Sequence, residues 1–160
     1  MVFAMDLDLI DRKIIAALQA DATLSIAQIA DRVGLSQTPC WKRIQKLEQA
    51  GVILGRVALV APEQVGFGLT VFVEIEASDH SPDWRRDFAS SVGAMPEVMD
   101  IHRMAGDVDY LLRVAVADMA AYDRFYKKLT DTVPLKNVTS HFAMERIKAT
   151  TAYPIDTLHR

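Results

Sequence analysis

Between Ser36 and Lys46 the chain brings together Ser36, Gln37, Thr38, Trp41, Lys42, Arg43 and Lys46. Serine, threonine and glutamine carry groups that reach base edges in a major groove. Lysine and arginine neutralise the flanking phosphates. Lys42 and Lys46 are four residues apart and share one face of a helix. Hydrogen-bonding groups first and cations after them is the distribution needed by a helix that enters a groove through its first turn. Trp41 has two readings here: it lies on sugar–phosphate, or it packs beneath a neighbouring helix. The plainer alternative for the whole stretch is an amphipathic helix with a solvated basic face.

A second stretch with chemistry runs through Arg103-Met104-Ala105-Gly106-Asp107-Val108-Asp109-Tyr110. A free amino acid needs N–H donors for its carboxylate and acceptors for its ammonium. A glycine turn offers backbone N–H groups with no side chain in the way. Asp107 and Asp109, on one side under strand alternation, offer the acceptors. A Gly-Asp hairpin turn with solvated acids explains the same residues more simply.

Other chemistry is thinly represented. Cys40 is the sole cysteine, so neither an internal disulfide nor a cysteine-based zinc site can form. It sits on an apolar stripe and reads as a small buried thiol, with redox sensing as the rarer alternative. His80, His102, His141 and His159 lack the close spacing of a metal pair. No Ser-His-Asp setting or phosphate loop is visible, so neither order nor spacing suggests catalysis, although catalytic groups can also converge from distant positions. The net charge of −3 argues against nucleic acid only until the chain is divided. Residues 1–60 carry seven basic against six acidic residues, a net of +1, whereas residues 61–160 carry eleven against fifteen, a net of −4. No apolar run approaches a membrane span, and MVFAMDLDLIDRK lacks a leader pattern, so a cytoplasmic protein is expected.

The elements that position these residues follow from periodicity. Leu7, Ile10, Ile14 and Leu18 predict a first helix ending near Asp21, with Asp6, Asp8 and Asp11 where its dipole favours acids. Ser25 and Gln28 form a capping box for a short second helix closed by Gly34. Ser36 caps a third helix, with Cys40, Ile44 and Leu47 inward and Gly51 at its end. Gly34-Leu35-Ser36 is then the tight turn of a helix-turn-helix. Val52–Leu54 and Arg56–Val60 read as short strands, a wing or hinge. Ala61–Gly68 reads as a linker.

Beyond it, strands are expected at Leu69–Glu76, Val98–Met104, Asp109–Val116 and Val138–Met144, with Ile147–Thr151 as a short fifth. Helices are expected at Pro82–Val92 and Met119–Thr130. The order βαββαβ is that of a ferredoxin-like αβ sandwich, whose bare sheet face invites a second copy. The fold class is α+β: a winged helix-turn-helix at 1–60, a linker at 61–68 and a ligand-sensing, oligomerising domain at 69–160.

Taken together, LDLIDRKIIAALQADATLSIAQIADRVGLSQTPCWKRIQKLEQAGVI strongly resembles the DNA-binding domain of the leucine-responsive/asparagine regulator (Lrp/AsnC) family. MAGDVDY and the late VTSHFAMERIK extend the resemblance to about Asp6–Ile155. TPCWKRIQKLE, MPEV, RMAGDVDYLLRV and AMERIKATTAYPI look closest to the members that respond to cysteine and activate its detoxification. The resemblance implies a regulator of double-stranded DNA that dimerises, often on the way to an octamer. It implies an amino-acid effector, with no other cofactor, bound between sensing domains. Met104, Gly106, Asp107, Asp109 and Tyr110 would lie there, with Thr139 and Ser140 of a neighbour. His141 and Phe142 lie beside this region and face either ligand or core.

Overall fold

The computed structural model describes residues 6–158. The first five residues, on which part of the leader argument rests, and His159 lie outside it. The described chain divides into two compact units.

The first unit, 6–58 with 148–158, is helical. α1 (Leu9–Ala20) starts at Asp8, whose side chain accepts from the Asp11 N–H. α2 (Ile26–Val33) carries the expected Ser25–Gln28 capping box and ends on Gly34 at φ +72°. That left-handed conformation is cheap only for glycine, and it lets Leu35 N–H reach back to the Ala30 carbonyl at 2.9 Å. Only three residues therefore separate α2 from α3 (Gln37–Gln49). Ile14, Ile29, Cys40, Ile44 and Leu47 make the common core, each large side chain contributing about 1.5–3 kcal/mol by leaving water.

Two expectations fail in this unit. No strand forms at 52–54 or 56–60. Val52 and Ile53 both donate to the Leu47 carbonyl and fold onto the helical core. Residues 54–60 are irregular, and among the described residues they make no backbone hydrogen bond. The tail, expected with the second domain, also belongs here. The Gln19 side chain accepts from Tyr153 N–H at 2.8 Å and donates to its carbonyl at 3.2 Å, and Ile155 packs on the helical core. An extended tail has no periodicity to announce this, and Ile147–Thr151 forms no fifth strand.

The second unit, Leu59–Ile147, opens with a 3-10 turn at Pro62–Val65 inside the expected linker. Then come β1 (Leu69–Ala77), α4 (Pro82–Gly93), β2 (Val98–Arg103), β3 (Tyr110–Val116), α5 (Met119–Thr132) and β4 (Leu135–Phe142). All neighbours are antiparallel in the order β2-β3-β1-β4, the ferredoxin-like arrangement. Val71, Val73 and Ile75 alternate onto the helix-covered face with Leu112 and Val114, against Phe88, Val92, Phe125 and Leu129. The opposite face carries Phe72, Glu74, Leu111, Arg113, Thr139 and His141, and no element of this unit's own chain crosses it. Phe72 is exposed there.

Candidate functional site

α3 presents two different sides. Cys40, Ile44 and Leu47 are buried, so their helical period turns Gln37, Thr38, Trp41, Lys42 and Lys46 outward, and all five are exposed. Ser36 occupies the N-cap position without using its side chain to cap, and it too is exposed. Trp41 is 45% exposed, so it does not pack beneath α1. Among the described residues neither Lys42 nor Lys46 forms an ion pair, whereas Arg56, just past the helix, pairs with Glu48 at 3.0 Å.

Arg43 departs from this pattern: it is half-buried and turns back onto α1. Its Nη1 donates to Asp8 Oδ2 at 2.6 Å and to Asp11 Oδ1 at 2.7 Å. The Asp11 N–H and then the Arg43 guanidinium hold the Asp8 carboxyl below its ordinary range, and Asp8 and Asp11 in turn keep Arg43 firmly charged. Asp8 and Asp11 had signalled only a favourable helix dipole. Their Asp-x-x-Asp spacing is also a capping box, and that was the available clue.

Cys40 is fully buried, and burial raises its thiol above the ordinary value of 9.0. It stays protonated near neutrality, the opposite of what a redox sensor needs.

The Gly106 turn is less uniform. Met104 N–H donates to the Asp109 carbonyl at 2.9 Å, closing the turn between β2 and β3. Gly106 has φ +151°, a conformation side chains disfavour. Met104, Gly106 and Asp107 are exposed. Asp109 is committed inside the fold: Oδ2 accepts from Ala77 N–H at 2.8 Å, and Oδ1 lies 3.7 Å from His80 Nδ1. Tyr110 is a core residue, 8% exposed, with its ring 4.5 Å from Phe88 and 5.9 Å from Trp84. Strand alternation puts Tyr110, expected at the effector site, on the helix-covered face, since it pairs with buried Ile75.

Thr139 and Ser140 divide between the faces of β4. Ser140 pairs with buried Val73 and is hydrogen-bonded to the Tyr122 hydroxyl, so it points towards the helices. Burial raises the Tyr122 hydroxyl despite that bond. Thr139 pairs with Glu74 on the bare face. His141 joins that face, with Nε2 3.4 Å from Glu74 Oε2. Phe142 sits edge-on against Tyr122 at 5.1 Å.

A helix-turn-helix with two lysines outside any ion pair, followed in the chain by an αβ unit with an open glycine turn, matches two known domains. Residues 7–53 match the winged helix-turn-helix DNA-binding domain, and residues 70–153 match the Lrp/AsnC ligand binding domain. The chain belongs to the Lrp/AsnC family. It is 54% identical over 151 residues to the DNA-binding transcriptional activator DecR of Escherichia coli, covering 94% of this chain and 99% of that one. The crystal structure of an AsnC family regulator from Agrobacterium tumefaciens superposes with a TM-score of 0.90 at 52% identity, covering 95% and 99% of the two chains. A regulator from Neisseria meningitidis in complex with L-methionine gives 0.89 at 36% identity, covering 96% and 99%.

This Lrp/AsnC protein is thus an amino-acid-responsive DNA-binding transcriptional regulator, and its relatives are regulators rather than enzymes. None of its described helices is long and apolar enough to cross a membrane.

Proposed function

We propose that this Lrp/AsnC regulator works in the cytoplasm as a homodimer, assembling further to an octamer, and that cysteine is its effector. Each α3 enters a major groove. Ser36, Gln37, Thr38 and Trp41 meet bases and sugars, and Lys42 and Lys46 meet phosphates. Two such helices in a dimer then read half-sites about 34–36 Å apart or a multiple of that. The carrying observation is that neither Lys42 nor Lys46 forms an ion pair among the described residues, while both stand on the exposed side of α3. Unpaired cations on a surface that fits a groove are free to displace counterions from DNA.

Dimerisation is supported by surface the single chain leaves bare. Leu54 and Val57 are 94% and 80% exposed on an irregular segment without backbone partners, and the sheet exposes Phe72. A second copy covering these surfaces gains burial and strand pairing.

The effector reading rests on Met104, Gly106 and Asp107 at the open turn, with Thr139 of a neighbour. Backbone N–H groups around Gly106 take the carboxylate, and Asp107 takes the ammonium. Asp109 and Tyr110 hold the turn in place, and Ser140 anchors β4. The likeness of TPCWKRIQKLE and MAGDVDY to cysteine-responsive members favours cysteine. The L-methionine complex of the Neisseria relative makes a second sulfur amino acid the competitor to test. Effector and DNA are coupled by about 1–3 kcal/mol.

Calorimetry with cysteine, methionine, leucine and glutamate, paired with gel shifts on the gene's own upstream DNA, tests this reading. Cysteine is expected to bind tightest and to change DNA affinity. Binding of none of the four would remove the effector assignment, and tighter methionine binding would replace cysteine.

A further inference from the structure

Asp11 is 5% exposed, and it stands alone as a buried charged residue among those described. A buried carboxylate survives only with a partner and hydrogen bonds. Asp11 receives both: the Asp8 N–H reaches its Oδ2 at 3.4 Å, and Arg43 donates to its Oδ1. The same guanidinium nitrogen also grips Asp8, whose other oxygen accepts from the Asp11 N–H at 2.8 Å. The capping box at the start of α1 and the middle of α3 are thus tied through one arginine. Arg43 adjoins Lys42 and lies three residues from Lys46.

We propose that Arg43 is a positioning residue for DNA recognition: anchored on Asp8 and Asp11, it fixes how far and at what angle α3 projects from α1, and it contacts no phosphate. The inference rests on α3 being the DNA-reading helix. The cation is engaged by the protein itself, where one nitrogen of the half-buried Arg43 side chain sits between the exposed Asp8 carboxylate and the buried Asp11 carboxylate. A groove-binding helix must be held to a fraction of an ångström, and holding it through a buried charge fixes both spacing and rotation. Apolar contacts at Cys40, Ile44 and Leu47 define which side of α3 faces inward, but they tolerate sliding. The ion pairs do not, because a single Nη1 held at 2.6 and 2.7 Å by two carboxylates loses one or both bonds when α3 shifts.

The test measures DNA affinity and its salt dependence for wild type, Arg43→Gln, Arg43→Lys, Asp8→Asn, Asp11→Asn and the double variant Arg43→Gln/Asp11→Asn, at a temperature where circular dichroism shows each folded. Asp8→Asn, at the more exposed end of the network, serves if Asp11→Asn fails to fold. Arg43→Gln is expected to lose about tenfold in affinity, the scale of coupling between contacting groups. Its salt slope stays at the wild-type value, because no phosphate contact is lost. Either Asp→Asn variant loses affinity as well, although it removes negative charge. The double variant loses no more than Arg43→Gln alone, and Arg43→Lys recovers part of the loss.

A slope flatter by about one unit in Arg43→Gln would make Arg43 a phosphate contact and overturn the proposal. So would tighter binding by the Asp→Asn variants, or lowered melting temperatures with unchanged DNA affinity. Wild-type failure to bind any duplex would instead remove the DNA-reading role of α3, and this proposal with it.

Discussion

The helical unit and the αβ unit use polar side chains in opposite ways. In the first, the core is closed by apolar residues alone apart from Asp11, and the exposed side of α3 keeps its hydrogen-bonding groups and two lysines uncommitted. In the second, polar groups expected to meet the ligand are consumed by the fold: Asp109 beside the Gly106 turn by Ala77 N–H, and Ser140 on β4 by Tyr122. A surface that reads a large, rigid, charged partner can be built from side chains standing off one helix. A site for a small zwitterion needs a fixed turn, and fixing it takes the polar side chains that residue type alone would assign to the ligand. What the turn has left to offer is backbone N–H groups, Asp107 and whatever a second copy brings.

The contrast is broken or sharpened first by two aromatic residues. Tyr110→Ala removes a ring from the Trp84–Phe88 cluster and is expected to cost about 3–5 kcal/mol in chemical denaturation. Trp41→Ala is expected to stay within about 0.5 kcal/mol of wild type while weakening DNA binding. Equal destabilisation by the two would erase the distinction between a core aromatic and a surface one.

The two aspartates give a smaller difference. Asp109→Ala strands the Ala77 N–H, which is expected to cost about 1–3 kcal/mol with no effector present. Asp107→Ala is expected to leave stability within about 0.5 kcal/mol and to lower effector affinity in calorimetry. The reverse pattern would exchange their roles.

A weaker effect is expected in acid. The Asp8 carboxyl titrates lower in the folded protein than its ordinary value of 3.8. Its stabilisation is therefore complete above the ordinary carboxylate range and is lost as pH falls through the depressed folded value. Thermal melts followed by helical signal should be flat across neutral pH and decline only below that range, and Asp8→Asn should shrink the decline. Smallest of all is the response of Cys40. Folded protein should resist thiol reagents that react at once after unfolding, and rapid labelling of the folded state would place Cys40 at a surface.

Much of this was legible in the sequence, for identifiable reasons. The Ser25–Gln28 box, Gly34 and the Cys40–Ile44–Leu47 stripe are local signals, and each produced the element it announces. Strand alternation and helix period likewise set out the βαββαβ order. What escaped was whatever depends on distant partners. Arg43 reads as one more cation until α1 is laid beside it. Tyr110 reads as part of the turn until Phe88 and Trp84 close over it. The tail reads as the end of the second domain because nothing near Tyr153 in sequence points to Gln19. The strands expected at 52–60 had the right residues but no partner in their own unit, and residue type cannot supply one.

The central claim is that Lys42 and Lys46 stand unpaired on α3 in order to neutralise DNA phosphates. Its most direct test is the salt dependence of binding to the gene's own upstream DNA, measured for wild type and for Lys42→Ala/Lys46→Ala. The account predicts weaker binding and a log–log slope flatter by roughly two units, about one per lost phosphate contact. An unchanged slope in the folded double variant would contradict it and take both lysines out of the DNA interface.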